Sequence, residues 1–149
     1  MKAVRIHEHG GPEVLTWDEM ETPSCSPDKV LLEVKAASIN HLDLWVRKGF
    51  PGIELPLIMG SDASGVIAEV GSEVTGWNSG DEVMVQPGIY CGECKFCIQG
   101  KENFCIKFGI IGETGDGTQC HYSVVKPENL GRKPTVISFE EAASFPLVF

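Results

Sequence analysis

Gly60-Ser61-Asp62-Ala63-Ser64-Gly65-Val66-Ile67-Ala68-Glu69-Val70-Gly71, followed by Gly80-Asp81-Glu82-Val83-Met84-Val85, is the stretch that decides the fold class. Its apolar, β-branched run from Gly65 to Val70 stops at a glycine, and a second run from Asp81 to Val85 stops before Pro87. Glycine tolerates backbone angles that end a strand, and proline lacks the N–H that a ladder needs, so both runs predict short strands with sharp ends. Upstream, Val30-Leu31-Leu32-Glu33-Val34-Lys35-Ala36 follows Pro27-Asp28 and reads the same way. Glycines at positions 60, 65, 71, 76 and 80 punctuate the region as a small barrel requires. Between Asn40 and Lys48 the apolar residues Leu42, Trp45 and Val46 take helical spacing, which predicts a short helix. Ser138-Phe139-Glu140-Glu141 fits a capping box and predicts a second one running through Ala142 and Ala143. The expected class is mainly β (α+β).

Chemistry enters with Cys91-Gly92-Glu93-Cys94-Lys95-Phe96-Cys97-Ile98-Gln99-Gly100-Lys101-Glu102-Asn103-Phe104-Cys105. Two overlapping C-x-x-C units and a fourth thiol eight positions on can close a tetrahedral sulfur cage around one soft divalent ion, most simply zinc. Such a cage leaves no open coordination position, so its metal holds the fold and does no chemistry. Disulfides are the alternative, but the N terminus lacks the apolar core of a signal peptide, and a cytosolic chain keeps its thiols reduced. An iron–sulfur cluster is the sharper rival. Against it, the fourth cysteine follows after seven residues where the ferredoxin run has three, Ile106 stands where that run has proline, and no second cysteine run follows. Cys25 and Cys120 have no partner spacing and read as small side chains.

With 149 residues the chain has room for one domain with a real core. Twelve Lys and Arg against 21 Asp and Glu give a net charge of −9, which argues against nucleic acid or an anionic membrane as partner. No apolar run reaches bilayer length. Gly109-Ile110-Ile111-Gly112-Glu113-Thr114-Gly115 lacks the G-x-G-x-x-G spacing of a dinucleotide loop and reads as a plain loop, and no phosphate-binding G-K-[ST] is present. His7 and His9 fall on one face of a possible strand, but no third metal ligand stands near them, and His121 is isolated. The apolar string Phe145-Pro146-Leu147-Val148-Phe149 is expected to meet a further part of a longer protein or to tuck into this domain's own core.

The residues Pro56 to Gly71, with Gly80-Asp81-Glu82-Val83, closely resemble the N-terminal GroES-like domain of the medium-chain dehydrogenase/reductase superfamily, the zinc-type alcohol dehydrogenases. The resemblance runs from Met1 to the end of the chain, and the four-cysteine lobe, about residues 88–107, sits where many of those enzymes carry a structural zinc. It implies a partly open GroES-like barrel over residues 1–149 that supplies the substrate site. It also implies a Rossmann domain, not encoded here, that supplies NAD(P), so the isolated domain is expected to be inactive. A small-molecule substrate, the protein's own Rossmann domain, a homo-oligomer and a cytoplasmic location complete what the resemblance implies.

Departures from the family pattern point to a branch within it. The alcohol dehydrogenases hold a catalytic zinc through a Cys-x-x-Asp segment, a Gly-His-Glu segment and often a further cysteine. The matching places here read Asn40-His41-Leu42-Asp43, Gly60-Ser61-Asp62 and Leu147. Ser61 and Leu147 are not zinc ligands and Asn40 is a poor one, so a catalytic metal is not expected. Asn40-His41-Leu42-Asp43 also resembles the Asn-Pro-x-Asp segment of the zinc-free quinone reductases, although a structural zinc lobe is not typical of that branch. In the expected site Asn40 donates its amide hydrogens to a substrate carbonyl, and its plainer role is a cap or turn. Asp43 lies in the same pocket or bonds backbone groups, and Trp45 walls the pocket or joins the core. His41 and Leu42 stand where family members touch the nicotinamide, and His41 reads equally well as surface. The rival readings are a zinc-dependent alcohol dehydrogenase with atypical ligands and a freestanding zinc-stabilised binding module.

Overall fold

The computed structural model describes residues 1–49 and 51–148. Two strands form its spine, β3 (Val30–Ala37) and β5 (Ala63–Val70), which pair antiparallel from Val30↔Val70 to Ala37↔Ala63. Their inward residues Val30, Leu32, Ala63 and Ile67 meet Val83, Val85, Ile111 and Val125 in one dry cluster. Gly65 is needed for this pairing: a Cβ there would lie 2.2 Å from the Glu33 carbonyl oxygen, beside a register shift between Val34 and Ala36. The sheet is completed by β6 (Glu82–Val85), β9 (Tyr122–Val125) and β10 (Leu130–Arg132), in the order β10-β6-β5-β3-β9.

A second sheet has the order β2-β1-β4, with β1 (Lys2–Ile6), β2 (Leu15–Glu19) and β4 (Leu57–Ile58). Helix α1 (His41–Gly49) docks on it through Val46, which joins Ile6, Leu57 and Met59 in a second apolar cluster. A bridge between Ala3 and Cys120 ties the two sheets together. The pair β7 (Gly88–Ile89) and β8 (Gly109–Ile110) closes the base of the cysteine lobe. The result is a mainly β, open-sheet architecture with short helices.

Helix α2 (Phe139–Ala143) starts as its capping box dictates. The Glu141 amide donates to Ser138 Oγ at 3.2 Å, and the Ser138 amide donates to Glu141 Oε2 at 2.8 Å. Just before it, Lys133 is buried yet fully partnered, with Nζ 2.7 Å from the Ile137 carbonyl, 3.1 Å from the Pro134 carbonyl and 3.1 Å from Glu82 Oε2. It pins the segment leading into α2 against β6.

Some sequence expectations shift. β1 ends at Ile6, so His7 and His9 lie beyond it and diverge: His7 Nε2 meets Asp18 Oδ2 at 2.6 Å, and His9 Nδ1 meets the Val46 carbonyl at 3.1 Å. β5 begins two residues before Gly65, because Ala63 and Ser64 find partners on both β3 and β6. Gly109 and Ile110 form a strand where a plain loop was expected. Near the C terminus Phe145 and Val148 are exposed, Leu147 is half-buried, and Phe149 lies outside the described residues.

Candidate functional site

Two sites emerge. The first is the cysteine lobe, where all four Sγ atoms lie within 4.8 Å of one another. Three of the separations are 3.5 Å (Cys94 to Cys97), 3.5 Å (Cys91 to Cys105) and 3.9 Å (Cys91 to Cys97). A tetrahedron with Zn–S bonds of about 2.3 Å has edges of about 3.8 Å, so the cage has the size zinc requires. The backbone turns tightly around it, with Gly92 and Gly100 at φ of 75° and 67°. Amides of Cys91 and Lys107 point at Cys105 Sγ from 3.4 and 3.3 Å, orienting that sulfur. The Cys97 amide beside Cys94 pulls that thiol down to about 6, and the Cys91 amide holds Cys105 below its ordinary value. Burial pushes Cys97 up to about 12. Metal binding to cysteine takes the thiolate form, so the amides that lower Cys94 and Cys105 favour a cation at the centre of the cage.

The second site lies where β3 ends, α1 begins and β5 starts. Asn40 precedes α1, and its backbone amide donates to Asp43 Oδ2 at 2.6 Å. Asp43 therefore caps the helix, and it is 5% exposed, facing away from solvent. The Asn40 side chain turns the other way: Nδ2 donates to Asp62 Oδ2 at 2.9 Å, and Ser38 Oγ donates to the same oxygen at 3.0 Å. Asp62 is 1% exposed, and its Oδ1 has no hydrogen-bond partner among the described residues. Ser61 is fully buried and its Oγ is equally unpartnered. Burial pushes both carboxyls up; the Asn40 amides oppose this at each, and at Asp62 the Ser38 hydroxyl does so too, with a weaker pull from the Leu147 amide, which lies near without forming a full hydrogen bond.

The remaining sequence candidates lie along α1. Trp45 is 52% exposed and so stands outside the core, its ring 4.9 Å from that of His41 one turn earlier. His41 is exposed, whereas Leu42 packs against the Ile6, Val46, Leu57 and Met59 cluster. The structure thus gathers Asn40, Asp43, His41 and Trp45 at one helix start and places the four cysteines in a separate lobe. Sequence reading missed Ser38 and the role of Asp62. The signal was an acidic residue set among the small residues Ser61, Ala63 and Ser64 at the start of an apolar strand run. Among the described residues, no other group of three or more His, Cys, Asp or Glu side chains comes together as metal ligands do. A cavity of about 420 Å³ between Met1, Met20, Ile58, Ile111, Cys120 and Tyr122 is lined by none of the four lobe cysteines and by none of Ser38, Asn40, Asp43, Ser61 and Asp62.

The family described as alcohol dehydrogenase GroES-like domain matches residues 26–135. An alcohol dehydrogenase of Schizosaccharomyces pombe is 33% identical over 95% of this chain and 41% of its own length. A crotonyl-CoA carboxylase/reductase of Cereibacter sphaeroides is 35% identical over 97% of this chain and 36% of its own. Among solved structures, an NAD-dependent alcohol dehydrogenase superposes with a TM-score of 0.96 at 46% identity, covering 99% of this chain and 43% of that one. The chain thus spans about two fifths of the length of the curated relatives it matches.

Proposed function

The chain belongs to the alcohol dehydrogenase GroES-like domain family, within the medium-chain dehydrogenase/reductase superfamily of oxidoreductases, and on that premise we propose that it forms the substrate-side domain of an NAD(P)-dependent reductase of conjugated carbonyls or quinones. In this reading a Rossmann domain outside the chain holds NAD(P), which supplies a hydride when bound, and the protein works in the cytoplasm. One zinc, held by Cys91, Cys94, Cys97 and Cys105, keeps the lobe folded.

The observation that carries this reading is the state of Asn40. An asparagine amide has two N–H donors, and among the described residues only one is committed, to Asp62. The other is free to meet an acceptor oxygen on the half-buried rim of the site. The neighbouring positions 61 and 147 offer a buried hydroxyl and an aliphatic chain, with no thiolate or imidazole to hold zinc. Oxidising a simple alcohol means stabilising an alkoxide, for which a Lewis acid contributes several kcal/mol. A conjugated acceptor delocalises the incoming charge itself, so a hydrogen-bond donor suffices as the electrophile. A crotonyl group is such an acceptor, and one relative is a crotonyl-CoA carboxylase/reductase. His41 and Trp45, exposed on the first turns of α1, are the side chains offered toward the cofactor and the outer pocket wall, with Leu42 beneath them and Asp43 fixing the helix start.

The test is steady-state reduction of enones and quinones by the complete enzyme. Asn40→Ala should lower kcat by about 10²–10³, the usual cost of one oxyanion donor, with zinc content unchanged at one per chain. Two zincs per chain and chelator-sensitive oxidation of simple alcohols would replace this reading with a zinc-dependent alcohol dehydrogenase of atypical ligands.

A further inference from the structure

We propose that Asp62 is a positioning residue for Asn40, selecting which amide hydrogen is presented to the acceptor oxygen. The inference rests on the role given to Asn40 above. An asparagine side chain turns about a broad, weakly preferred terminal torsion, so on its own the amide would present donor or carbonyl to a ligand almost indifferently. Here Asp62 Oδ2 accepts one Nδ2 hydrogen at 2.9 Å. Because the amide is planar, fixing that hydrogen also fixes the direction of the second hydrogen and of the carbonyl.

The anchor is itself immobile. Asp62 immediately precedes β5, whose first residue Ala63 is registered with Ala37 at the end of β3. Thr118 Oγ1 donates to the Asp62 carbonyl at 2.9 Å, and Ser38 Oγ donates to Oδ2 at 3.0 Å. The backbone of Asn40 is held independently through Asp43. The amide is therefore fastened from both sides, by residues carried on sheet and helix, as a precise donor requires. Exposure assigns the roles: Asp62 is buried while Asn40 is half-buried, so Asn40 is the member that can reach a ligand. Stability does not account for the arrangement. A buried carboxyl with Oδ1 unpartnered is a net cost, and an apolar residue of similar size would avoid it.

Two measurements decide the matter. On this chain, hydrogen exchange of the Asn40 side-chain amide should show one Nδ2 hydrogen protected and the other fast. Asp62→Ala should abolish that protection, and Asp62→Asn should keep it, because an asparagine carbonyl can accept the same two bonds. In the complete enzyme, Asp62→Ala should lower kcat roughly tenfold to a hundredfold with little change in KM, the usual cost of a misplaced donor. Asp62→Asn should stay near the parent rate. In an Asn40→Ala background, Asp62→Ala should cost nothing further, since it acts only through that amide. Multiplying effects of the two alanine variants, or two equally fast Asn40 hydrogens in the unaltered chain, would overturn the proposal. Should Asn40→Ala leave turnover intact, the reading of Asn40 itself falls, and the exchange pattern still shows separately whether Asp62 orients the amide.

Discussion

At Asp62, burial and hydrogen bonding pull the carboxyl in opposite directions, and burial wins, leaving its pKa above the ordinary 3.8. A group raised in the folded state contributes stability that is full below its unfolded value and lost as pH climbs through the folded value. Asp62 therefore opposes folding at neutral pH. Asp62→Asn is expected to melt at or above the parent temperature at pH 7, with the difference shrinking toward and below pH 3.8; a gap that widens on acidification would refute this sign. Cys97 offers a second residue-scale prediction. It is buried and lies within 4 Å of both Cys91 and Cys94, so Cys97→Ser removes one of the four thiols proposed to hold zinc. Metal analysis should find one zinc in the parent and much less in the variant. Hydrogen exchange should then rise across about residues 88–107 while the β3–β5 core stays protected, and uniform loosening would contradict a local structural metal. The cysteines were legible in the sequence because ligand spacing is a local property of the chain. The Asp62 pairing was not, since Ser38, Asn40 and Asp62 become neighbours only when β3 and β5 zip together.

Among the elements, the strands were readable where alternation, glycine and proline agreed, and least so where pairing is settled from a distance. β5 begins before its glycine because both neighbours offer partners there. β1 stops at Ile6, before the two histidines that alternation had added to it, because its partner β2 begins only at Leu15, the residue opposite Ile6. The start of α2 was legible because its capping box is written within four residues, whereas α1 was read from the helical spacing of Leu42, Trp45 and Val46. Replacing Ser138 by alanine breaks the reciprocal box at α2 and should cost about 1 kcal/mol, or about 2–4 °C in melting temperature for a chain of this size. Gly65→Ala should cost more, about 1–3 kcal/mol by overpacking, because the new methyl meets the Glu33 carbonyl, which cannot move without breaking the β3–β5 ladder. An alanine variant as stable as the parent would mean that the bulge beside Val34 relaxes freely.

For the molecule as a whole, the distribution of negative charge decides what it can bind alone. A dinucleotide brings a pyrophosphate, and proteins receive it on a glycine-rich turn leading into an open helix N terminus. This chain encodes no such turn. Both α-helix starts in the described residues are already occupied: Asp43 fills that of α1, and α2 opens with Glu140 and Glu141 behind its Ser138 cap. A net charge of −9 adds a repulsive field around any approaching anion. His41 and Trp45 can offer ring surface to a nicotinamide, but stacking on two exposed side chains does not replace a phosphate cradle. Calorimetric titration of this chain with NADH and NADPH should therefore show no binding in the micromolar range, at low salt as well as high. Raising the ionic strength should not rescue it, because screening removes the repulsion without creating donors. Micromolar binding to the 149-residue chain would show that it carries a dinucleotide site of its own, and would move the cofactor from a neighbouring domain into this one.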